Sequence, residues 1–138
     1  MHTIYCCNLN RSVPMKHLNE YEKHKTMNAL NKREWNTSFN ISQRDPTIGS
    51  IYLLLLEGVQ RLQKKEPEIE YWFTCAYSPH EKAHGHGLLN TSLTHREIQA
   101  CFSKGCNKPV LKDIYDKERL IDYYVKQAVE ETQFTNGE

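Results

Sequence analysis

The fold is decided by residues 69–91, which read IEYWFTCAYSPHEKAHGHGLLNT. Residues 69–77 are rich in aromatic and β-forming side chains and predict a strand. Residues 78–82 contain a serine followed by a proline, a pair that is typical of a turn. Residues 83–91 predict a second strand. The whole stretch is therefore predicted to form a β-hairpin.

The segments on either side of this hairpin predict further strands and helices. Residues 35–41 alternate in polarity, which predicts a strand with Trp35, Phe39 and Ile41 on one face. The remaining predicted elements are helices at 49–65, 94–102 and 116–132 and a strand at 109–114. Together they predict an α+β fold, in which helices cover a small antiparallel sheet.

Both ends of the chain are predicted to lie outside the core, which comprises residues 35–132. Residues 1–34 are predicted to form an N-terminal extension that packs on the core, with a strand at 3–7 and a helix at 14–32. Residues 133–138 are polar and small and are predicted to be a frayed tail.

Length and composition limit the class of protein. With 138 residues, 38% of them hydrophobic, the chain is sized for one domain. Its net charge is only +1, so any binding of nucleic acid would depend on local basic patches. The longest apolar run, residues 51–56, is far shorter than the ~20 residues of a membrane helix, and no membrane partner is expected. An odd number of cysteines and no secretory signal predict reduced thiols in the cytoplasm.

Two histidines in the second strand of the hairpin are candidate metal ligands. Residues two apart in a strand point to the same side, which places the imidazoles of His84 and His86 on one face. Their α-carbons are then about 7 Å apart, a spacing that suits two ligands of one divalent ion. With seven histidines in the chain, a chance pair is the alternative explanation.

The helix predicted at 116–132 carries a candidate nucleophile. Its apolar stripe consists of Leu120, Ile121, Tyr124, Val125, Ala128 and Val129. Tyr124 belongs to that stripe, which predicts a core aromatic residue. Tyr123 lies off the stripe and shares a polar flank with Lys126 and Gln127, three and four residues further on. A tyrosine nucleophile needs such an accessible position near a cation, although a half-exposed surface tyrosine is the alternative for Tyr123.

The order of these motifs resembles that of the HUH endonucleases, in particular the replication initiator (Rep) proteins of rolling-circle plasmids and single-stranded DNA viruses. That family has a first strand, then a strand with two histidines around one residue, then a helix with Tyr-x-x-Lys. The matching residues here are 35–40, His84-Gly85-His86, and Tyr123 with Lys126. The resemblance covers about residues 35–131. Gly85 departs from the family, which usually has a bulky apolar residue there.

The resemblance implies a ferredoxin-like or RRM-like Rep nuclease fold and a metal-dependent enzyme that nicks and rejoins single-stranded DNA. Tyr123 would attack the scissile phosphate and form a 5′-phosphotyrosine intermediate, while Lys126 would stabilise phosphate charge. The cofactor would be Mg²⁺ or Mn²⁺, held by His84, His86 and one oxygen ligand.

The third metal ligand is open at this point. The family often has an acidic ligand on the partner strand of the hairpin, where this chain has Cys75, Ala76 and Tyr77. Glu81 and His80 in the turn are two candidates. Gln127 is another, because the related single-tyrosine transposases have a glutamine four residues after the nucleophile.

The implied partner is single-stranded DNA, or a DNA hairpin, at a replication origin of a plasmid or virus in the host cytoplasm. The candidate DNA-binding residues are Lys64, Lys65, Lys104, Lys108 and Lys112. A homodimer is possible, because a single nucleophile needs a released 3′-hydroxyl or a second subunit for a second strand transfer. The alternatives are a single-tyrosine transposase, a catalytically inactive DNA-binding protein with the same fold, and an unrelated α+β domain.

Overall fold

The structure is a computed structural model that describes residues 16–78, 81–102, 105–129 and 132–136. These residues form four helices and five strands: α1 (Glu20–Asn31), β1 (Thr37–Ile41), α2 (Ile48–Lys65), β2 (Glu70–Ser78), β3 (Glu81–Asn90), α3 (His95–Cys101), β4 (Val110–Asp113), α4 (Lys117–Gln127) and β5 (Phe134–Thr135). The predicted α+β fold, a small antiparallel sheet covered by helices, is confirmed. The strand predicted at 3–7 lies outside the described residues.

The hairpin predicted from residues 69–91 forms the centre of the sheet. The strand order is β4-β1-β3-β2-β5, and each neighbouring pair is antiparallel. β3 is the middle strand, and His86 lies opposite Asn40 of β1 on one side and Thr74 of β2 on the other. The histidine pair therefore lies in the central strand of the sheet, which is paired on both sides.

Each face of the sheet is buried under a different pair of helices. On one face, α2 and α3 cover a cluster that includes Phe39, Ile41 and Phe73. On the other face, α1 and α4 cover a smaller cluster around Trp72 and Leu88. Among the described helices, none has the length and apolar composition needed to cross a membrane.

Glycines in β3 allow α2 and β1 side chains to approach the sheet on the first face. A Cβ atom added to Gly87 would lie 2.0 Å from the ring of Phe39, and one added to Gly85 would lie 3.0 Å from Ile41 and 3.1 Å from Leu55. Side chains from neighbouring elements therefore fill the space that a bulky residue at position 85 would occupy. This packing explains the departure from the His-hydrophobic-His pattern, and it leaves both histidines on the opposite face.

In the described part of the N-terminal extension, residues 16–34, helix α1 packs against α4, but this helix begins later than predicted. Asn19 and Glu22 form a capping box, and the helix begins at Glu20 rather than at residue 14. The predicted face of Trp35 is wrong, because this residue precedes β1 and packs with the α1–α4 cluster rather than with Phe39.

The C-terminal end of the chain also differs from the prediction. α4 ends at Gln127 rather than at residue 132, because Ala128 is extended and forms a β-bridge to Ala76 of β2. Further on, β5 pairs with β2, and the Asn136 side chain hydrogen-bonds the backbone of residues 69 and 71. The frayed tail predicted at 133–138 is therefore wrong for residues 134–136, which close one edge of the sheet.

Candidate functional site

The imidazoles of His84 and His86 meet edge to face on the side of the sheet that α4 covers. Their Nε2 atoms are 3.0 Å apart, and the ring planes are inclined by 86°. His84 Nδ1 lies 2.9 Å from the carbonyl oxygen of Lys82, which can only accept a hydrogen bond. His84 Nδ1 therefore donates a hydrogen bond to this carbonyl. In neutral His84 the lone pair is then on Nε2, the atom next to His86 Nε2.

A third donor atom comes from the last residue of α4. The Gln127 side-chain oxygen, Oε1, lies 3.3 Å from His86 Nε2. Neighbouring ligands of a metal ion with bonds of about 2.1 Å are about 3 Å apart in octahedral geometry, and the two measured spacings, 3.0 and 3.3 Å, are close to that value. The bridge from Ala128 to Ala76 fixes the end of the helix and thus the position of Gln127.

The side chains of the two turn candidates for the third ligand are not described. His80 lies outside the described residues, and Glu81 begins β3 but its side chain lies outside the described part of the structure. No group of three or more His, Cys, Asp and Glu side chains with the spacing of a metal site occurs among the described residues. The ligand set that the described side chains offer is thus two imidazoles and one amide.

Burial keeps His86 in its neutral form. Its exposed fraction is 4%, and its Nδ1 has no hydrogen-bond partner among the described residues. Burial and, to a smaller extent, the nearby charge of His84 lower the pKa of His86 to about 3, against the opposing effect of the Gln127 hydrogen bond. Neutral imidazole is the form that binds metal ions, so protons compete little for His86 near neutral pH.

Tyr124 supports this histidine from the α4 side. Its ring stacks on His86 with a centroid distance of 4.3 Å, and its hydroxyl lies 3.3 Å from the Asn40 side-chain nitrogen, which donates to it. Only 2% of the residue is exposed, and burial raises the pKa of its phenol. The prediction that Tyr124 is a core aromatic residue is confirmed.

Tyr123 lies beside this cluster and faces solvent. Its exposed fraction is 55%, and its ring centroid is 6.3 Å from that of His86. A cleft of about 790 Å³ is lined by Tyr123, His84 and His86 together. The phenol and the two imidazoles are thus on the same side of the sheet and open to the same space.

Two cations line this cleft that the sequence analysis did not single out. Lys82 precedes His84 by two residues in β3, so strand alternation could have predicted its position. Arg44 lies in the loop after β1, next to Asp45, which has a positive φ of 49°. No local sequence pattern brings Arg44 back towards the sheet.

The predicted basic residues lie in different places. Lys126 forms an ion pair with Asp122, with 3.0 Å between Nζ and Oδ2, and is not among the residues that line the cleft. Lys112 lines a neighbouring pocket that also contains Tyr123. Lys64 and Lys65 end α2, which covers the opposite face of the sheet, Lys108 is exposed before β4, and Lys104 lies outside the described residues.

Comparison with known proteins gave no matching family model, no matching curated protein and no matching solved structure.

Proposed function

We propose that this protein is a metal-dependent enzyme that nicks and rejoins single-stranded DNA with a tyrosine nucleophile, the activity that the resemblance to HUH endonucleases implies. One observation carries the proposal. His84 Nε2 and Gln127 Oε1 lie 3.0 and 3.3 Å from His86 Nε2, and the two histidines line a cleft together with the exposed Tyr123. Two imidazoles, an amide oxygen and a phenol are the parts that this chemistry needs.

His84, His86 and Gln127 would hold Mg²⁺ or Mn²⁺, which when bound would withdraw charge from a phosphate oxygen and orient the phosphate. Two contacts support this proposal by orienting the imidazoles. The carbonyl of Lys82 fixes the tautomer of His84, and the ring of Tyr124 fixes the plane of His86.

Tyr123 would act as the nucleophile. Its phenol loses a proton, and its oxygen attacks the phosphorus in line, forming a Tyr–phosphate bond as the bond to the 3′-oxygen breaks. The departing 3′-oxygen gains a proton and becomes a free hydroxyl. The phosphotyrosine bond conserves the energy of the phosphodiester, so a 3′-hydroxyl can reverse the step and rejoin the strand.

Lys82 and Arg44 would bind the phosphates next to the scissile bond, because they are the cations that line the cleft. Lys126 would assist only if it left Asp122. With a net charge of +1, the chain has no general attraction for DNA. Binding would therefore depend on this local patch and on bases exposed in a single strand or hairpin, as at the replication origin of a plasmid or virus.

The proposal is tested by searching for the covalent intermediate. The protein is incubated with Mn²⁺ and a pool of single-stranded oligonucleotides labelled at the 3′ end, so that the label stays on the fragment that becomes attached. A labelled band at the mass of the protein plus DNA on a denaturing gel is expected. Tyr123→Phe removes the band, whereas the matched control Tyr124→Phe retains it because the ring still stacks on His86. A band that persists in Tyr123→Phe, or in EDTA, refutes the proposed chemistry.

A single-tyrosine transposase is the second candidate, because Gln127 contacts the histidine pair from four residues after Tyr123. Such an enzyme would exchange α4 between the subunits of a dimer. In this structure α4 reaches the histidines of its own chain, which favours a site complete in one subunit. Mixing Tyr123→Phe with a variant lacking both histidines discriminates the two, since only a tyrosine that acts on the partner's site restores nicking.

A further inference from the structure

A second pocket is lined by Tyr123 but by neither of the two histidines. It measures about 350 Å³ and lies between the end of β4 and the first turns of α4. Ile114 and Leu120 contribute apolar walls, and Tyr115 and Tyr123 contribute aromatic rings. Tyr123 therefore lines two concave spaces, the cleft with the histidines and this second pocket.

Tyr115 lines this pocket, and most of its side chain is exposed to solvent. Its exposed fraction is 94%, the highest among the exposed large hydrophobic residues that the structure describes. The ring therefore contributes little buried area to the fold. An aromatic ring exposed beside a concave apolar wall can stack on a flat heteroaromatic group such as a nucleobase.

Two carboxylates and two cations line this pocket. Asp113 is 3.2 Å from His95 Nε2, and Asp116 accepts a hydrogen bond from the backbone nitrogen of Arg119, so each carboxylate has a partner of its own. Lys112 and Arg119 line the pocket, and neither side chain forms an ion pair with a carboxylate among the described residues. The combination of an apolar wall, an exposed ring and two cations matches a base with its phosphate.

We propose that this pocket binds the nucleotide on the 3′ side of the scissile phosphate, with its base on Tyr115 and its phosphate at Lys112 and Arg119. The assignment of a side rests on the proposed function, since it needs Tyr123 to be the nucleophile. In-line displacement places the attacking oxygen and the departing 3′-oxygen on opposite sides of phosphorus. The departing 3′-oxygen therefore leaves on the side of phosphorus away from Tyr123, whereas the attached nucleotide stays linked through its phosphate to Tyr123, which lines this pocket.

Binding is measured first without chemistry, by fluorescence anisotropy of a labelled oligothymidylate in EDTA, with Tyr123→Phe as the background. Tyr115→Ala is expected to weaken binding about 5- to 100-fold, the range for loss of one base–aromatic stack. The matched control is Tyr21→Ala, which removes a tyrosine that is 74% exposed on α1 and lines neither pocket. Lys112→Gln is expected to lower the dependence of log Kd on log salt by about one. An equal loss of DNA affinity in Tyr115→Ala and Tyr21→Ala would overturn the assignment of this pocket.

The side of the scissile bond is tested with abasic sites on a strand that the wild-type protein nicks. Removing the base 3′ of the nick is expected to slow nicking in the wild type and to have little further effect in Tyr115→Ala. Removing the base 5′ of the nick slows both proteins equally. The reverse pattern overturns the assignment.

The two proposals fail separately. If the wild-type protein forms no adduct but Tyr115→Ala weakens DNA binding, the pocket is supported and the proposed nuclease is refuted. If the wild-type protein forms the adduct and Tyr115→Ala binds DNA as well as the wild type does, the nuclease is supported and the pocket is refuted.

Discussion

Replacing His86 with glutamine should make the free energy of unfolding less dependent on pH. In the folded protein the pKa of His86 is lowered from 6.5 to about 3, chiefly by burial. Between these values the unfolded chain binds a proton that the folded protein does not, so acid favours unfolding. The stability associated with neutral His86 is complete above pH 6.5 and is lost as the pH falls towards 3. Its total size is roughly 5 kcal/mol, from 1.36 kcal/mol per pKa unit, and its slope near pH 5.5 is about 1 kcal/mol per pH unit.

Urea denaturation in EDTA at several pH values between 5 and 7.5 measures this slope. The wild type is expected to lose about 1 kcal/mol more than His86→Gln for each pH unit below 6, whatever the absolute stability of the variant. His24→Gln is the matched control, because it removes an exposed imidazole on α1 that lines neither pocket. Parallel curves for the wild type and His86→Gln would refute a buried, neutral His86.

Three further changes test other parts of the structure. Gln127→Ala should weaken Mn²⁺ binding at least about tenfold in calorimetry, since even changes to residues that support a metal ligand cost 10- to 100-fold in affinity. Gln127→Glu should restore the binding. Unchanged affinity in Gln127→Ala would exclude the amide as a ligand. Gly87→Ala should lower the free energy of unfolding by about 1–3 kcal/mol, because the added Cβ collides with the ring of Phe39. Adding Phe39→Leu should recover part of this loss. An unchanged free energy of unfolding in Gly87→Ala would contradict the close packing. Asn136→Ala should cost about 1–3 kcal/mol, since the backbone nitrogen of Tyr71 loses its 2.8 Å partner; no change in urea denaturation would show that β5 does not secure the sheet.

The histidine pair and the two tyrosines could be predicted because their relations are local. Two-residue alternation places His84 and His86 on one face wherever that strand lies. Helical periodicity separates the buried Tyr124 from the exposed Tyr123 in the same way, and the structure has them so. These positions depend on the type of element and not on its neighbours.

The contact of Gln127 with His86 could not be predicted, because it depends on where α4 ends. Helical periodicity continues through Ala128 and Val129, and the sequence predicts a helix to residue 132. The helix stops at Gln127 because Ala128 pairs with Ala76, about fifty residues earlier in the chain. Pairing between distant residues is also what forms the two-residue strand β5, for which the sequence has no periodic signal.

The position of Arg44 was not predicted, and the face of Trp35 was predicted wrongly, for a related reason. Both lie just outside β1, where the chain leaves the strand and alternation no longer applies. Trp35 packs on the α1–α4 side, and its indole nitrogen donates to the carbonyl of Leu30, 2.9 Å away. Turn geometry next to a strand thus determines two contacts that polarity patterns leave undetermined.

Mass spectrometry of the digested DNA adduct tests the central claim most directly. The protein is allowed to react with single-stranded DNA and Mn²⁺, nuclease removes all but the attached nucleotide, and the modified peptide is fragmented. We expect one nucleotide phosphate on the hydroxyl of Tyr123 and none when His84 and His86 are both replaced by alanine. A nucleotide on Tyr124, or on Tyr123 regardless of the histidines, would contradict a phenol and a metal-binding pair that act together on one phosphodiester.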